Sequence, residues 1–181
     1  MLGTMTVDPI WIGHLYLRPA DAPEAGDADA VTISWDGAPL TPAALLATRM
    51  LSPLAALPAA RRAELRVLLA GEELAWPRVT CEALGCASVR DASSLEESEV
   101  PSFHRVLLVV NGTRPSWEEL QPLVGMLRHE GQLGVIGVPA AELSPLQREL
   151  AEHGFSLRAA GTDSDLGFLA GSIENPDQFK S

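Results

Sequence analysis

The chain has 181 residues and a formal net charge of -11 at pH 7, from 24 Asp and Glu residues against 13 Lys and Arg residues. This charge argues against binding to bare phosphate backbones and to anionic membranes, because both would repel the protein. An apolar content of 46% with 20% charged residues is typical of a folded globular domain and excludes a disordered chain.

The first 65 residues are predicted to form an N-terminal extension. They begin with neither the basic start nor the long apolar stretch of a secretory signal, so we expect a cytoplasmic protein. Trp11 and Trp35 are candidate partner-binding residues of this extension. The predicted elements are strands at 10–17 and 31–35, a flexible acidic loop at 18–30, a turn at Asp36-Gly37, a helix starting at Thr41-Pro42 and running to 51, and a short helix at 59–65.

Residues 66–173 show alternating strand and helix patterns. Ser116 with Glu119 forms a capping box for one helix, and Gly131 is expected to end that helix. Ser144 is expected to cap the next helix, with Gly154 following it. The predicted strands are 66–70, 86–90, 105–110, 133–138, 155–160 and 166–172, and the predicted helices are 77–84, 116–130 and 144–153.

This order predicts a doubly wound α/β domain with a mostly parallel, Rossmann-like sheet covered by helices on both faces. The last two predicted strands flank the turn Gly161-Thr162-Asp163, which indicates an antiparallel hairpin at the sheet edge. Residues 174–181 are predicted to be a polar tail.

Two segments resemble the class I methyltransferases. MLRHEGQLGVIGVP is similar to a recurrent stretch of that family, and LAEHGFSLRAA is similar to its entry into the terminal hairpin. The resemblance implies that S-adenosylmethionine would bind at the carboxyl end of the first strand. A G-x-G-like turn would let the ligand approach the backbone there, and an acid after the second strand would hold the ribose.

Carried over to this chain, the resemblance assigns Gly71, Asp91 and Asn111 to the cofactor site, with Arg114 beside Asn111 as a further substrate-orienting candidate. However, Glu72 and Glu73 follow Gly71 where small residues belong, and their bulk and charge would oppose the methionyl carboxylate. We therefore expect no bound cofactor and no catalytic residues, and the turn-forming role of Asn111-Gly112 is favoured over a catalytic one.

A second resemblance is to the methyltransferase-like N-terminal domain of the anamorsin family of cytosolic iron-sulphur assembly factors. It rests on RVLLAGEEL, on SVRDASSLEESEVPSFHRVLLVV and on LRHEGQLGVIGVP. It implies a non-catalytic protein-interaction domain whose partner is a diflavin reductase, although the cysteine-rich segment of that family does not occur in these 181 residues. The acidic run Glu96, Glu97 and Glu99 is the candidate contact for a basic partner.

Two alternatives stay open at this point. One is an S-adenosylmethionine-dependent methyltransferase with a divergent cofactor loop, and the other is a scaffold subunit of a larger complex. Cys81 and Cys86 are the two cysteines of the chain, and buried apolar thiols are favoured over a metal or redox site, because no further Cys or His pair lies nearby in sequence.

Overall fold

A computed structural model describes residues 10–19, 30–35, 41–95 and 102–179. The predicted acidic loop lies mostly outside these ranges, as do the turn Asp36-Gly37 and the acidic run of three glutamates. The N-terminal sheet has the order β1-β2-β3, with β1 and β2 antiparallel and β2 and β3 parallel. Its strands are β1 (Ile10–Ile12), β2 (Leu15–Pro19) and β3 (Val31–Trp35).

The larger sheet has six strands in the order β5-β4-β6-β7-β9-β8. Strands β5, β4, β6 and β7 are parallel to one another, and β9 pairs antiparallel with both β7 and β8. The mostly parallel sheet and the terminal hairpin are therefore confirmed. The bounds are β4 (Arg66–Gly71), β5 (Ser88–Asp91), β6 (Phe103–Val109), β7 (Leu127–Pro139), β8 (Phe155–Asp163) and β9 (Leu166–Ile173).

Five α-helices accompany the strands in the described ranges. Thr41 caps α1 by accepting from the Ala44 N–H at 3.1 Å, and Ser116 caps α4 by accepting from the Glu119 N–H at 3.2 Å. The helices are α1 (Pro42–Leu51), α2 (Ala59–Arg62), α3 (Ala75–Leu84), α4 (Trp117–Val124) and α5 (Leu143–Ala151). Short 3-10 segments occur at Ser52–Ala56, Ala92–Ser94, Ala140–Glu142 and Pro176–Phe179.

Both faces of the six-stranded sheet are covered. Helices α1 and α3 pack on one face with the N-terminal sheet, and α4 and α5 contribute buried leucines and valines on the other. Neighbouring residues of β6 divide between the two clusters: Leu107 belongs to the first and Leu108 to the second. A strand that is buried on both faces explains why residues 106–110 form a continuous apolar run.

The predicted strand at 10–17 is wrong in one respect, because it is a hairpin. Gly13 has φ +57 and turns the chain between β1 and β2, and Trp11 then pairs with Tyr16. An apolar run with a glycine at its centre fits a strand pattern and a tight turn equally well.

The end of α4 also differs from the prediction. The helix ends at Gly125, six residues before Gly131, and β7 begins at Leu127. Gly131 lies instead in an irregularity of the β6–β7 ladder, where a Cβ would approach the Phe103 carbonyl oxygen within 2.9 Å. The glycine is needed for close backbone approach and not for a helix end.

Two smaller corrections concern the second half of the chain. Helix α5 begins at Leu143 with Glu142 at the N-cap position, so Ser144 lies inside the helix and does not cap it. The β8–β9 hairpin turns at Ser164 (φ +58), whereas Gly161 is paired with Phe168 within the ladder. The described part of the predicted polar tail packs on α4 through Phe179, whose ring lies 5.2 Å from that of Trp117.

Candidate functional site

The loop after β4 has the backbone of a tight, glycine-dependent turn. Gly71 has φ +100, and a Cβ at this position would lie 2.0 Å from the Val109 carbonyl oxygen. The same oxygen accepts the Glu72 N–H at 2.9 Å. Gly71 is therefore required by the contact between β4 and β6.

Glu73 continues this loop in a conformation that side chains rarely adopt. Its φ is +54, so Gly71 and Glu73 both have positive φ values, with one residue between them. A G-x-G sequence would adopt this backbone without strain. The Glu73 carboxylate accepts a hydrogen bond from the Thr41 hydroxyl at 3.2 Å, which joins the loop to the start of α1. The second glycine position is thus occupied by a carboxylate with a partner in the protein.

Asp91 ends β5, the strand beside β4, and lies at the same edge of the sheet as Gly71. Its carboxylate forms an ion pair with Arg78 from the first turn of α3, and both side chains are about one-third exposed. Arg78 engages one oxygen of Asp91, so a ribose hydroxyl bound here would share the carboxylate with an arginine. The sequence reasoning missed Arg78, although the first turn of a helix that follows a parallel strand lies at the carboxyl edge.

The loop after β6 completes the edge. Asn111 is exposed, and Gly112 lies at a bend of the chain with φ +75. The Gly112 N–H donates to the Gly137 carbonyl at 2.8 Å, which joins this loop to β7. Arg114 forms ion pairs with Glu142 at 3.3 Å and with Glu149 of α5. Arg114 therefore fastens the loop to α5 and is not free to bind a substrate.

Gly71, Asp91 and Asn111 are thus brought to one edge, as the resemblance implied. The cavity of about 490 Å³ lined by Leu65, His104 and Arg128 lies at the opposite, amino-terminal edge of the strands. Within the described ranges, no group of three or more His, Cys, Asp or Glu residues is placed to hold a metal ion. None of the helices that the structure describes combines the length and the apolar character needed to cross a membrane.

The partner-binding candidates are only partly described. Trp11 is 51% exposed, and its ring centroid lies 4.6 Å from that of Tyr16. The backbone of Trp35 pairs with Pro19 in the N-terminal sheet, and its side chain lies outside what the structure describes, as do Glu96, Glu97 and Glu99.

Comparison with known proteins supports the fold. No protein-family model matches the chain, and no curated protein does. Among solved structures, a ribosomal protein L11 methylase from Lactobacillus delbrueckii subsp. bulgaricus aligns with a TM-score of 0.63 and 17% identity over 93% of this chain and 100% of that one. A protein-(glutamine-N5) methyltransferase specific for release factors, from Alicyclobacillus acidocaldarius, aligns with a TM-score of 0.44 and 15% identity over 78% of this chain and 100% of that one.

The chain therefore has a methyltransferase-like, Rossmann-like α/β fold. At 17% identity the alignment shows the fold alone, because one fold hosts many unrelated functions. The implied iron-sulphur assembly role and the diflavin reductase partner stay predictions of the sequence resemblance.

Proposed function

We propose that this chain is a non-catalytic methyltransferase-like domain that acts by binding another protein. The observation that carries the proposal is the carboxylate of Glu73 at the left-handed position of the β4 loop. A methionyl carboxylate brought to this loop would meet Glu72 and Glu73, and two like charges at short range repel each other strongly where water is partly excluded.

The surroundings of the loop support the same proposal. Thr41 holds Glu73 and Arg78 holds Asp91, so both acids at this edge have partners within the protein. A cofactor that used the same carboxylate oxygens would have to displace these contacts. Gly71 does not favour a cofactor either, because its conformation follows from the close approach of Val109.

A second candidate is an S-adenosylmethionine-dependent methyltransferase with a divergent loop. The observation that favours it is the backbone of the loop, which retains the G-x-G geometry at Gly71 and Glu73. The fold, which the chain shares with the L11 methylase, is compatible with this candidate. Here Gly71 and Asp91 would contact the cofactor, and Asn111 would lie beside the transferred group.

Calorimetric titration with S-adenosylmethionine and S-adenosylhomocysteine separates the two candidates. We expect no binding by the wild type, and weak binding by a Glu72→Ala, Glu73→Gly variant whose loop regains its small residues. The matched control is Glu118→Ala with Glu152→Ala, which removes two exposed carboxylates from other parts of the surface.

Thermal shift provides a second readout. A ligand at one hundred times its dissociation constant stabilises a fold by about 2.7 kcal/mol, which is readily seen as a higher melting temperature. A clear shift of the wild type with either ligand would refute the expected lack of cofactor binding, which carries the non-catalytic proposal, and favour the second candidate.

The partner surface is tested separately. We expect a basic protein partner to be retained at low ionic strength and released at high ionic strength, because attraction between exposed charges is screened by salt. Changing Glu96, Glu97 and Glu99 to Gln should weaken retention at low salt. If the wild type and the Gln variant retain the partner equally at both salt concentrations, the acidic run is excluded as the contact. Trp11 is then the next candidate, and Trp11→Ala tests it.

A further inference from the structure

The two cysteines of the chain meet at the end of α3. The Gly85 N–H (φ +78) donates to the Glu82 carbonyl at 3.1 Å, and the Cys86 N–H donates to the Cys81 carbonyl at 3.2 Å. This pair of hydrogen bonds defines a Schellman motif, in which the side chains four residues before and one residue after the left-handed glycine contact each other. In this protein both contacting positions are cysteines.

The two thiols differ in environment. Cys81 is fully buried in the core, whereas Cys86 is partly exposed where the chain enters β5. The Cys81 thiol donates a hydrogen bond to the Cys86 sulfur, and this bond, followed by burial, raises the pKa of Cys81 well above its usual value. The same bond lowers the pKa of Cys86, an effect that burial opposes and that the charges of Arg62 and Arg105 reinforce.

Two arginines supply the positive charge near Cys86. Arg62 donates from Nη1 to the Leu84 carbonyl at 3.2 Å, and its Nε is buried without a hydrogen-bond acceptor among the described residues. Arg105 donates to the His104 carbonyl at 2.9 Å, and burial lowers its pKa whereas Cys86 raises it. A thiolate at Cys86 would give both cations an anionic neighbour.

The remaining charged groups near the pair belong to α3. Glu82 raises the pKa of Cys81 and Arg78 lowers it, and both effects are smaller than the hydrogen bond and burial. The pair is therefore asymmetric, with a partly exposed sulfur in a positive environment and a buried sulfur that keeps its proton. This asymmetry favours oxidation of the exposed thiol by a peroxide and resolution by the buried one.

We propose that Cys81 and Cys86 form a peroxide-reactive dithiol, in which Cys86 is the attacking thiolate and Cys81 the resolving thiol of an intramolecular disulfide. This role is independent of the function proposed above. Two apolar residues would satisfy the Schellman contact equally well, but neither would respond to the positive charges of Arg62 and Arg105.

The chemistry balances with hydrogen peroxide as the oxidant. The Cys86 thiolate attacks one peroxide oxygen, the O–O bond breaks, and Cys86 becomes a sulfenic acid as hydroxide leaves. The Cys81 sulfur then attacks the Cys86 sulfur, the S–S bond forms, and the hydroxyl group leaves with the Cys81 proton as water. The two sulfurs lose two electrons in total, and the peroxide is reduced to one water and one hydroxide, which becomes a second water by taking up the proton that Cys86 released on ionisation.

Mass spectrometry of the intact protein tests the product. Treating the reduced protein with an equimolar amount of hydrogen peroxide should remove both free thiols and two hydrogens without forming a dimer. Trypsin should release residues 79–90 as one peptide that contains both cysteines, so an internal disulfide is read directly from its mass. In Cys81→Ala, Cys86 should instead stop at the sulfenic acid and be trapped by dimedone.

The arginine requirement has a matched control. Arg61 and Arg62 are adjacent on α2, but only Arg62 is implicated in the environment of Cys86. At pH 7 we expect Arg62→Gln to slow alkylation of Cys86 by iodoacetamide by about threefold or more, because the nucleophile is the thiolate, and Arg61→Gln to leave the rate unchanged. Circular dichroism of each variant verifies that it is folded.

Three results would overturn the proposal. The first is oxidation of Cys86 to a sulfinic or sulfonic acid in the wild type while Cys81 stays reduced. The second is a disulfide that forms only between two molecules, and the third is equal alkylation rates in Arg61→Gln and Arg62→Gln. Phenylarsine oxide tests whether the two sulfurs are close together. It should bind the wild type through both sulfurs, and it should not bind Cys81→Ala or Cys86→Ala.

Discussion

The contact between Gly71 and Val109 predicts a large and position-specific cost for adding one methyl group. In Gly71→Ala the new Cβ would start 2.0 Å from the Val109 carbonyl oxygen, at a φ of +100. Gly112→Ala is the matched control, because Gly112 has φ +75 and a Cβ added there would have no atom within 4 Å. Both variants place an L-residue at a positive φ, but only Gly71→Ala also brings a Cβ into contact with the Val109 carbonyl oxygen.

The magnitudes follow from these geometries. A left-handed conformation costs an L-residue about 1–2 kcal/mol, so Gly112→Ala should destabilise the protein by about 1 kcal/mol. Gly71→Ala adds a displacement of the β4 end and the loss of the Glu72 N–H to Val109 hydrogen bond, which together bring its cost to about 3 kcal/mol or more.

Urea denaturation followed by tryptophan fluorescence measures both variants, since the chain has four tryptophans. The midpoint should fall further for Gly71→Ala than for Gly112→Ala, with similar slopes for the two transitions. If the two free energies of unfolding agree within about 0.5 kcal/mol, the close approach of β4 and β6 does not control Gly71, and a ligand becomes the better reason for this glycine.

Two further outcomes test the core and the pH dependence. Leu107 and Leu108 are buried on opposite faces of β6. Changing either to Ala should lower the free energy of unfolding, measured in urea, by about 2–5 kcal/mol. A loss under about 1 kcal/mol for either variant would contradict burial on both faces. The pKa of His104 is lowered mainly by burial and further by neighbouring arginines. Because the unfolded chain then binds this proton more readily than the folded one, the free energy of unfolding should fall as the pH drops below about 6.5. His104→Asn keeps a side-chain acceptor for the backbone N–H of Arg66. Between about pH 7.5 and about pH 5.5, the urea midpoint of this variant should fall less than that of the wild type. An equal fall in both proteins would exclude His104 as the cause.

Local chemistry in the sequence was sufficient for the strand and helix order of residues 66–173. Thr41 and Ser116 cap their helices as predicted, because a hydroxyl beside unpaired backbone N–H groups has the same effect in any fold. The continuous apolar run at 106–110 likewise predicted a central strand, since such a run is typical of a strand covered on both faces.

Backbone pairing between separate segments overrode other local signals. Gly131 follows a basic helix-like stretch and has the features of a helix end, yet the β6–β7 ladder begins at Leu127 and takes that stretch into a strand. Gly161 has turn chemistry, but its pairing with Phe168 moves the hairpin turn to Ser164. Such pairings depend on a partner in another strand, which a local pattern does not contain.

The carboxyl edge shows most clearly what each level determined. The sequence alone placed Gly71, Asp91 and Asn111 directly after predicted parallel strands, and the observed strand order brings those strand ends to one edge. Only the tertiary structure decided that Arg78 engages Asp91 and that Thr41 engages Glu73, since each of these contacts joins elements whose separation in space is set by packing. Cys81 and Cys86 differ in this respect: their contact is local, because it follows from the Schellman motif at the end of α3, but the two arginines beside Cys86 depend on how α2 and β6 pack against that end.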